Sequence, residues 1–406
     1  MEDWKKEEVF HQMSQDEGEQ KALTASLLSF YNFYKSQFEN IIKPRLIKYG
    51  AMTEEEKGLL PWYQEYTDQL KQCIGINREF TESLATTIAQ EWGVMGSHLD
   101  WSPATSSEFD ITSTTLLQLT REWSDEGQGE REISFSLILS ELEDMYPDKL
   151  ERQKVKILNP GCGLGRLVLE LVMRGFWTQG NEISYHMLLT SSFILNSCQF
   201  PHSHTIFPFL AKSSHLVKRA YQTRGVTIPD VAPFAILNEL SHEFPNIPYG
   251  DLMSITAGSF LELYGAERPE TNLSDPAANE VRRSSQGAFD VVVTNFFLDT
   301  ASNIIDYIKA IHNVLKQGGK WINFGPLLWH FESDYNVTYV KRGDNSSVPD
   351  IKKGLELSRE DLVQLIENLG FAFRKHQSGI ESSYCKDIKL LGSFVFKCEF
   401  WVCEKL

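Results

Sequence analysis

The stretch from Val155 to Glu182 constrains this chain more than any other. Val155, Ile157 and Leu158 form a short apolar run, which predicts a buried strand. Pro160 and Gly161 end it, and Gly163 and Gly165 let the backbone turn tightly and approach a ligand with no Cβ in the way. Leu164, Leu167, Val168, Leu171 and Val172 then recur at helical spacing, and Gly175 stops the helix. Strand, glycine turn and helix make the opening unit of a doubly wound α/β sheet. Its ligand sits past the carboxyl end of the strand, where the helix presents unpaired N–H groups.

The glycine spacing narrows the ligand. A dinucleotide turn reads G-x-G-x-x-G. Here the glycines are Gly161, Gly163 and Gly165, and Arg166 stands where the third dinucleotide glycine belongs, which weakens a nicotinamide-dependent reading. A compact G-x-G-x-G turn suits a ligand with no pyrophosphate, such as S-adenosylmethionine (SAM), its amino-acid end lying over the turn. Glu182 ends the next strand-like run, and a carboxylate there can accept from both ribose hydroxyls. Glycine turns also serve as plain connectors; strand, helix and acid together favour a nucleotide-type ligand.

A chain of 406 residues has room for two or three domains. Its net charge of −16 argues against a nonspecific nucleic-acid surface. The N-terminal Met1-Glu-Asp-Trp-Lys-Lys-Glu-Glu8 lacks the apolar core of a signal peptide, and no apolar run reaches membrane-spanning length. The expectation is a cytoplasmic protein, with the nucleus also allowed, that binds neither nucleic acid nor membrane. Cys73, Cys162, Cys198, Cys385, Cys398 and Cys403 are scattered without a C-x-x-C pair, so reduced thiols are expected. His202, His204 and His215 lack a tight ligand pattern and read as part of a solvated, partly basic loop, with no metal site.

Residues 1–150 read as helical. Leu27, Phe30, Tyr31, Tyr34 and Phe38 make an apolar stripe that Pro44 should interrupt. Thr53 to Glu56 has capping-box form, Leu70, Cys73 and Ile74 mark a second helix, and Phe80 to Trp92 a third. A loop over Ser97 to Asp110 precedes helices at Phe109 to Trp123 and Arg131 to Tyr146. Beyond the glycine turn, Ser184 to Asn196 reads as a helix and Phe200 to Pro233 as irregular. Leu252 to Thr256, Phe289 to Thr294 and Lys320 to Phe324 read as strands, with Asn303 to Leu315 as an amphipathic helix closed by Gly318 and Gly319. Phe371 to Lys375 and Gly392 to Val402 form an antiparallel finish, with a register shift near Glu399. Polar stretches at about 267–287 and 334–354 read as insertions. Asn295, Asp299 and His330, just past strand ends, converge on the mouth opened by Gly161 to Gly165.

Four motifs together resemble the carnosine N-methyltransferase family: Asn159-Pro-Gly-Cys-Gly-Leu-Gly-Arg-Leu167, Gly180-Asn-Glu182, Phe296-Phe-Leu-Asp-Thr300 and Gly325-Pro-Leu-Leu-Trp-His-Phe-Glu332. Gln118-Leu-Thr-Arg-Glu-Trp123, with Ser124 and Glu130-Arg131, is similar to the family's N-terminal segment. The resemblance spans about residue 20 to the C-terminus. It implies a seven-stranded SAM-methyltransferase sheet at 151–406 and a helical region at 1–150 that contributes to the cofactor site. The implied reaction transfers a methyl group from SAM to an imidazole nitrogen of histidine in carnosine or a related small peptide, with a homodimer left open as the assembly.

By position, the resemblance implies cofactor contacts from Gln118, Arg121, Gly161, Glu182, Phe260 and Asn295, and substrate contacts from Asp299, His330 and Tyr384. Read as residues alone, Gln118 and Arg121 fit a solvated helix face, Asp299 could cap the helix at Asn303, His330 could be a core histidine and Tyr384 a half-buried aromatic. Two positions depart from the family pattern. Ser259 stands where the family has an aspartate near the adenine amine, and Phe394 and Phe396 stand where it has tyrosines. These departures are the only support for one alternative, a SAM-binding module that has lost catalysis and acts through its helical N-terminal region; a protein-histidine methyltransferase is the other alternative.

Overall fold

The computed structural model describes residues 17–266, 276–332, 339–341, 346–349 and 355–406. Two units share the chain. The first takes Met1–Arg131, Ser184–Ile236 and Tyr384–Phe394; the second takes Glu132–Ile183, Leu237–Ser383 and Val395–Leu406.

The second unit is built on a seven-stranded sheet. Its strands are β1 (Lys156–Pro160), β2 (Trp177–Glu182), β3 (Met253–Ala257), β4 (Phe289–Asn295), β5 (Leu315–Gly325), β6 (Phe371–Ser382) and β7 (Phe396–Lys405). They lie in the order β3-β2-β1-β4-β5-β7-β6. Neighbours from β3 through β5 run parallel, and β7 runs antiparallel to both β5 and β6. This is the doubly wound α/β sheet that the sequence predicts. Its order turns back at β1, so the carboxyl ends of β1 and β4 flank the crevice where such a sheet takes its ligand.

Alternation along the strands sorts the core. Val291 and Val293 pack with Ile157, Leu167, Leu171, Ile322 and Phe400. Val292 points the other way, into a cluster with Ile308, Ile311, Trp321, Leu362 and Trp401. Both faces are covered, which is why β4 reads as an unbroken apolar run.

Several boundaries differ from the expected ones. The last strand starts at Phe396, because β6 ends at Ser382 opposite it and leaves earlier residues nothing to pair with. Phe394 therefore lies off the strand and is 69% exposed. The register shift beside Glu399 is present, and its extra residue is Gly379 on β6, at φ +75°. Gly318 and Gly319 do not close the helix Ile304–Val314; they sit in an irregularity within β5, whose strand begins at Leu315. Part of the first polar insertion is a helix, Pro276–Ser285. Its Ala278 and Val281 pack on the core, and Arg282 donates to the Glu262 carbonyl. Residues 267–275 and most of 334–354 lie outside the described residues. Within the second insertion, Tyr339–Lys341 pairs with Ser347–Pro349.

The first unit is mainly helical, as expected. Pro44 does not break the early helix. A π turn over Phe38–Ile42 absorbs it, and Lys43–Gly50 continues with Pro44 in its first turn, where a missing N–H costs little. The second and third expected helices are one, Tyr63–Glu91, whose Tyr66, Leu70, Cys73 and Ile74 pack with Ile41, Ile42 and Leu210. Ser106–Trp123 begins with a capping box from Thr105 and Glu108, inside the expected loop. The stretch from Phe200 is not wholly irregular: His204–Ile206 pairs with Val226–Ile228, and a helix occupies Pro233–Glu243. The six cysteines form no disulfide. Among the described residues no helix is long and apolar enough to cross a membrane, and no three His, Cys, Asp or Glu side chains are grouped to hold a metal ion.

Candidate active site

In the second unit the glycine turn follows β1 directly. Gly161, Gly163 and Gly165 have φ of +62°, +55° and +79°, and Gly165 starts the helix Arg166–Met173. A Cβ on Gly161 would stand 2.3 Å from Cδ2 of Phe297, so the turn and the corner after β4 close on each other. Gly180 on β2 serves the same packing: its Cβ would meet Cys162 Sγ at 2.8 Å.

Glu182 is anchored at the end of β2. Gly163 N–H donates to Oε2 at 3.0 Å and Ile183 N–H to Oε1 at 2.8 Å, while the Glu182 carbonyl accepts from Gly258 N–H at 2.9 Å. Its carboxylate is thus fixed by backbone N–H groups. Past β3, Ser259 caps the short helix Phe260–Tyr264 through its backbone, with no side-chain cap bond. Phe260 is buried edge-on to Phe297 and Tyr307.

The corner after β4 carries the acid. Asn295 ends the strand, and its Oδ1 is buried with no hydrogen-bond partner among the described residues. Phe296 is left-handed at φ +51°, held by its N–H donating to the Phe324 carbonyl at 2.8 Å. Asp299 follows in the 3-10 turn Leu298–Thr300 and is 5% exposed. It does not cap the next helix; Asn303 does, accepting from Ile305 and Asp306. Burial pushes the Asp299 carboxyl up to about 6, against the opposing pull of His330 and of backbone N–H groups. His330 is exposed, so it is not a core histidine, and its backbone N–H donates to the Asp299 backbone carbonyl at 3.1 Å. The unit thus joins Asp299 and His330, two of the three residues expected at the substrate.

Tyr384, the third, belongs to the first unit, with Gln118 and Arg121. Arg121 is not on a solvated face: it is 3% exposed. The Tyr384 ring lies 4.6 Å from its guanidinium, and Glu130 and Glu122 lie at 3.2 and 3.6 Å. Burial works against the Arg121 charge; Tyr384, Glu122, Cys385 and Glu130 outweigh it and hold the pKa above its usual value. Gln118 Nε2 donates to the Tyr384 hydroxyl at 3.4 Å, and its Oε1 is buried without a partner among the described residues. The roles of Glu130, and of Arg224 with its partners Glu126 and Asp387, were not read from the sequence. The available signal was Glu130 itself, one short turn after Arg121.

The donor set suits SAM. The glycine turn takes positive φ and closes on Phe297, Glu182 holds a carboxylate fixed by backbone N–H groups at the end of β2, and Asn295 brings a buried acceptor with no donor among the described residues. The family model described as carnosine N-methyltransferase matches residues 99–406. A carnosine N-methyltransferase of Schizosaccharomyces pombe is 33% identical over 401 residues, covering 97% of this chain and 98% of that protein. That of Mus musculus is 29% identical over 388 residues, covering 93% and 85%. A solved SAM-dependent methyltransferase from Mesorhizobium loti is 11% identical, covers 66% of this chain and 96% of that one, and has a TM-score of 0.31. The chain belongs to the carnosine N-methyltransferase family and is a SAM-dependent N-methyltransferase.

Proposed function

We propose that the acceptor is an imidazole ring nitrogen of histidine in carnosine or a related small peptide. The observation that carries this reading is Asp299, a buried carboxyl at the tip of β4 beside His330. SAM, when bound, supplies an electrophilic methyl group. The residues that would hold it in the second unit are Gly161, Gly163, Gly165, Glu182, Ser259, Phe260 and Asn295. Gln118 and Arg121 have the cofactor-contact role that the resemblance implies.

The acceptor needs a lone pair and an orientation. Neutral imidazole has the first, since its ordinary pKa is about 6.5. Ionised Asp299 accepts the N–H of one ring nitrogen, which fixes the tautomer and frees the other nitrogen as nucleophile. The same carboxylate stabilises the imidazolium that results. His330 orients the peptide, and Tyr384 has the substrate-contact role implied by the resemblance. Orientation of this kind supplies much of the acceleration where no strong base is needed.

The test is methyl transfer from labelled SAM to carnosine, to other histidine dipeptides, to free imidazole metabolites and to a histidine-containing protein, with products mapped by mass spectrometry. Label on the imidazole of a dipeptide is expected. Label only on protein, or SAM binding with no transfer to any imidazole, overturns the reading.

A further inference from the structure

Glu130 holds three groups of the first unit's cluster with one carboxylate. Oε1 accepts from the Cys385 N–H at 2.6 Å and lies 3.2 Å from Arg121 Nε, and Oε2 accepts from the Lys386 N–H at 3.0 Å. Its side chain is 10% exposed, so these contacts are made largely out of water.

Gly127 brings it there. The helix Ser106–Trp123 ends, and after four intervening residues Gln128–Met145 begins. A Cβ on Gly127 would stand 2.2 Å from the Thr120 carbonyl oxygen and 2.4 Å from that of Arg121. Only glycine lets the second helix start so close to the last turn of the first. Gly127 N–H donates to Ser124 Oγ at 3.2 Å, and Arg131 Nη1 donates to the carbonyls of Arg121 and Ser124 at 3.1 and 2.6 Å. Glu130 then occupies the first turn of its helix, where an acid is favoured, and meets Arg121.

The turn at Tyr384 is the other partner. Cys385 is left-handed at φ +53°, a conformation that side chains seldom adopt. Two successive amides converge on Glu130 and stabilise that conformation through charge-assisted bonds. One carboxylate therefore fixes Arg121 and also the turn whose tyrosine ring covers Arg121.

We propose that Glu130 is a positioning residue for methyl transfer, acting through Arg121 and Tyr384. The inference rests on the roles given to those two residues above. It is tested by steady-state kinetics, varying SAM and acceptor separately, for E130Q, Y384A, R121K and the double variant E130Q/Y384A. Glutamine has one acceptor oxygen for two amides and no charge for Arg121, so E130Q should lower kcat/KM at least about tenfold. With Tyr384 gone there is less to position, and E130Q should cost about twofold or less in the Y384A background. A folded E130Q with wild-type kinetics overturns the proposal, and so does a loss undiminished by Y384A, which marks general damage. Should E130Q fail to fold, Glu130→Asp keeps the charge on a shorter arm and runs the same cycle. If R121K and Y384A are both kinetically normal, the underlying reading fails and this proposal with it; if they are impaired and E130Q is normal, only the role of Glu130 fails.

Discussion

If Asp299 acts as proposed, it sets activity against stability. Its carboxyl is raised from 3.8 to about 6 by burial. A group raised in the fold favours folding in its protonated form, so that contribution is full below pH 3.8 and is lost as pH rises through about 6. The form that would accept an imidazole N–H in the proposed mechanism is the ionised one, present above about 6. Asp299→Asn should therefore cut turnover by roughly a hundredfold or more with near-normal SAM affinity. It should also make the protein more resistant to denaturant at pH 8 by up to about 3 kcal/mol. Below pH 6, log kcat/KM should rise with a slope near 2 in the wild type, one proton from Asp299 and one from the acceptor, and near 1 in the variant. Full turnover in Asp299→Asn would remove the residue from the mechanism. Arg121 shows why single residues are hard to read from a chain. Spacing placed it one turn from Gln118, which fits a wet face as well as a buried one. What buries it, Tyr384, comes from more than 250 residues away.

Elements were more legible where a pattern is local. The β1–glycine turn–helix unit, β4 and the helix at Asn303 each declare themselves within one continuous stretch. Helix breaks did not, because packing outvoted propensity: Gly75 lies inside Tyr63–Glu91, and a π turn accommodates Pro44. The departure at Phe394 also had to wait for the structure, since a strand ends where its partner does. The glycine turn allows steric closure to be separated from strain. Gly161 and Gly287 have φ of +62° and +58°, but a Cβ on Gly287 would meet nothing within 4 Å. Gly287→Ala should cost about 1 kcal/mol of left-handed strain and leave SAM binding intact. Gly161→Ala must displace the Phe297 ring, which is stacked on Tyr307 at 5.0 Å. It should weaken SAM binding at least about tenfold and lower stability by more than Gly287→Ala does. Equal behaviour of the two in calorimetry and thermal melts would show that closure of the turn on Phe297 is unimportant.

On the scale of the whole chain, the first unit is assembled from three separate stretches, and no local periodicity reveals that. His186 is one of the joints. It lies on Tyr185–Ser192, is 3% exposed, and bonds through Nε2 to Ser29 Oγ at 2.9 Å. Ser29 in turn bonds Thr112 Oγ1 at 2.8 Å, so helices beginning at Glu17, Ser106 and Tyr185 meet at one hydroxyl. Phe30 packs against the ring. Burial lowers the His186 pKa from 6.5 to about 4, although Glu108 favours the charged form. The unfolded chain therefore takes up this proton before the folded one does. The contribution to stability is full above pH 6.5 and is lost as pH falls from 6.5 to about 4, by about 3 kcal/mol in all. His186→Gln keeps a polar group for Ser29 but has no proton to take up. Denaturant unfolding of the two proteins between pH 7.5 and about 4, without cofactor, should show the wild type losing this extra stability and the variant not losing it. Parallel curves would mean that the acid sensitivity lies elsewhere than at His186.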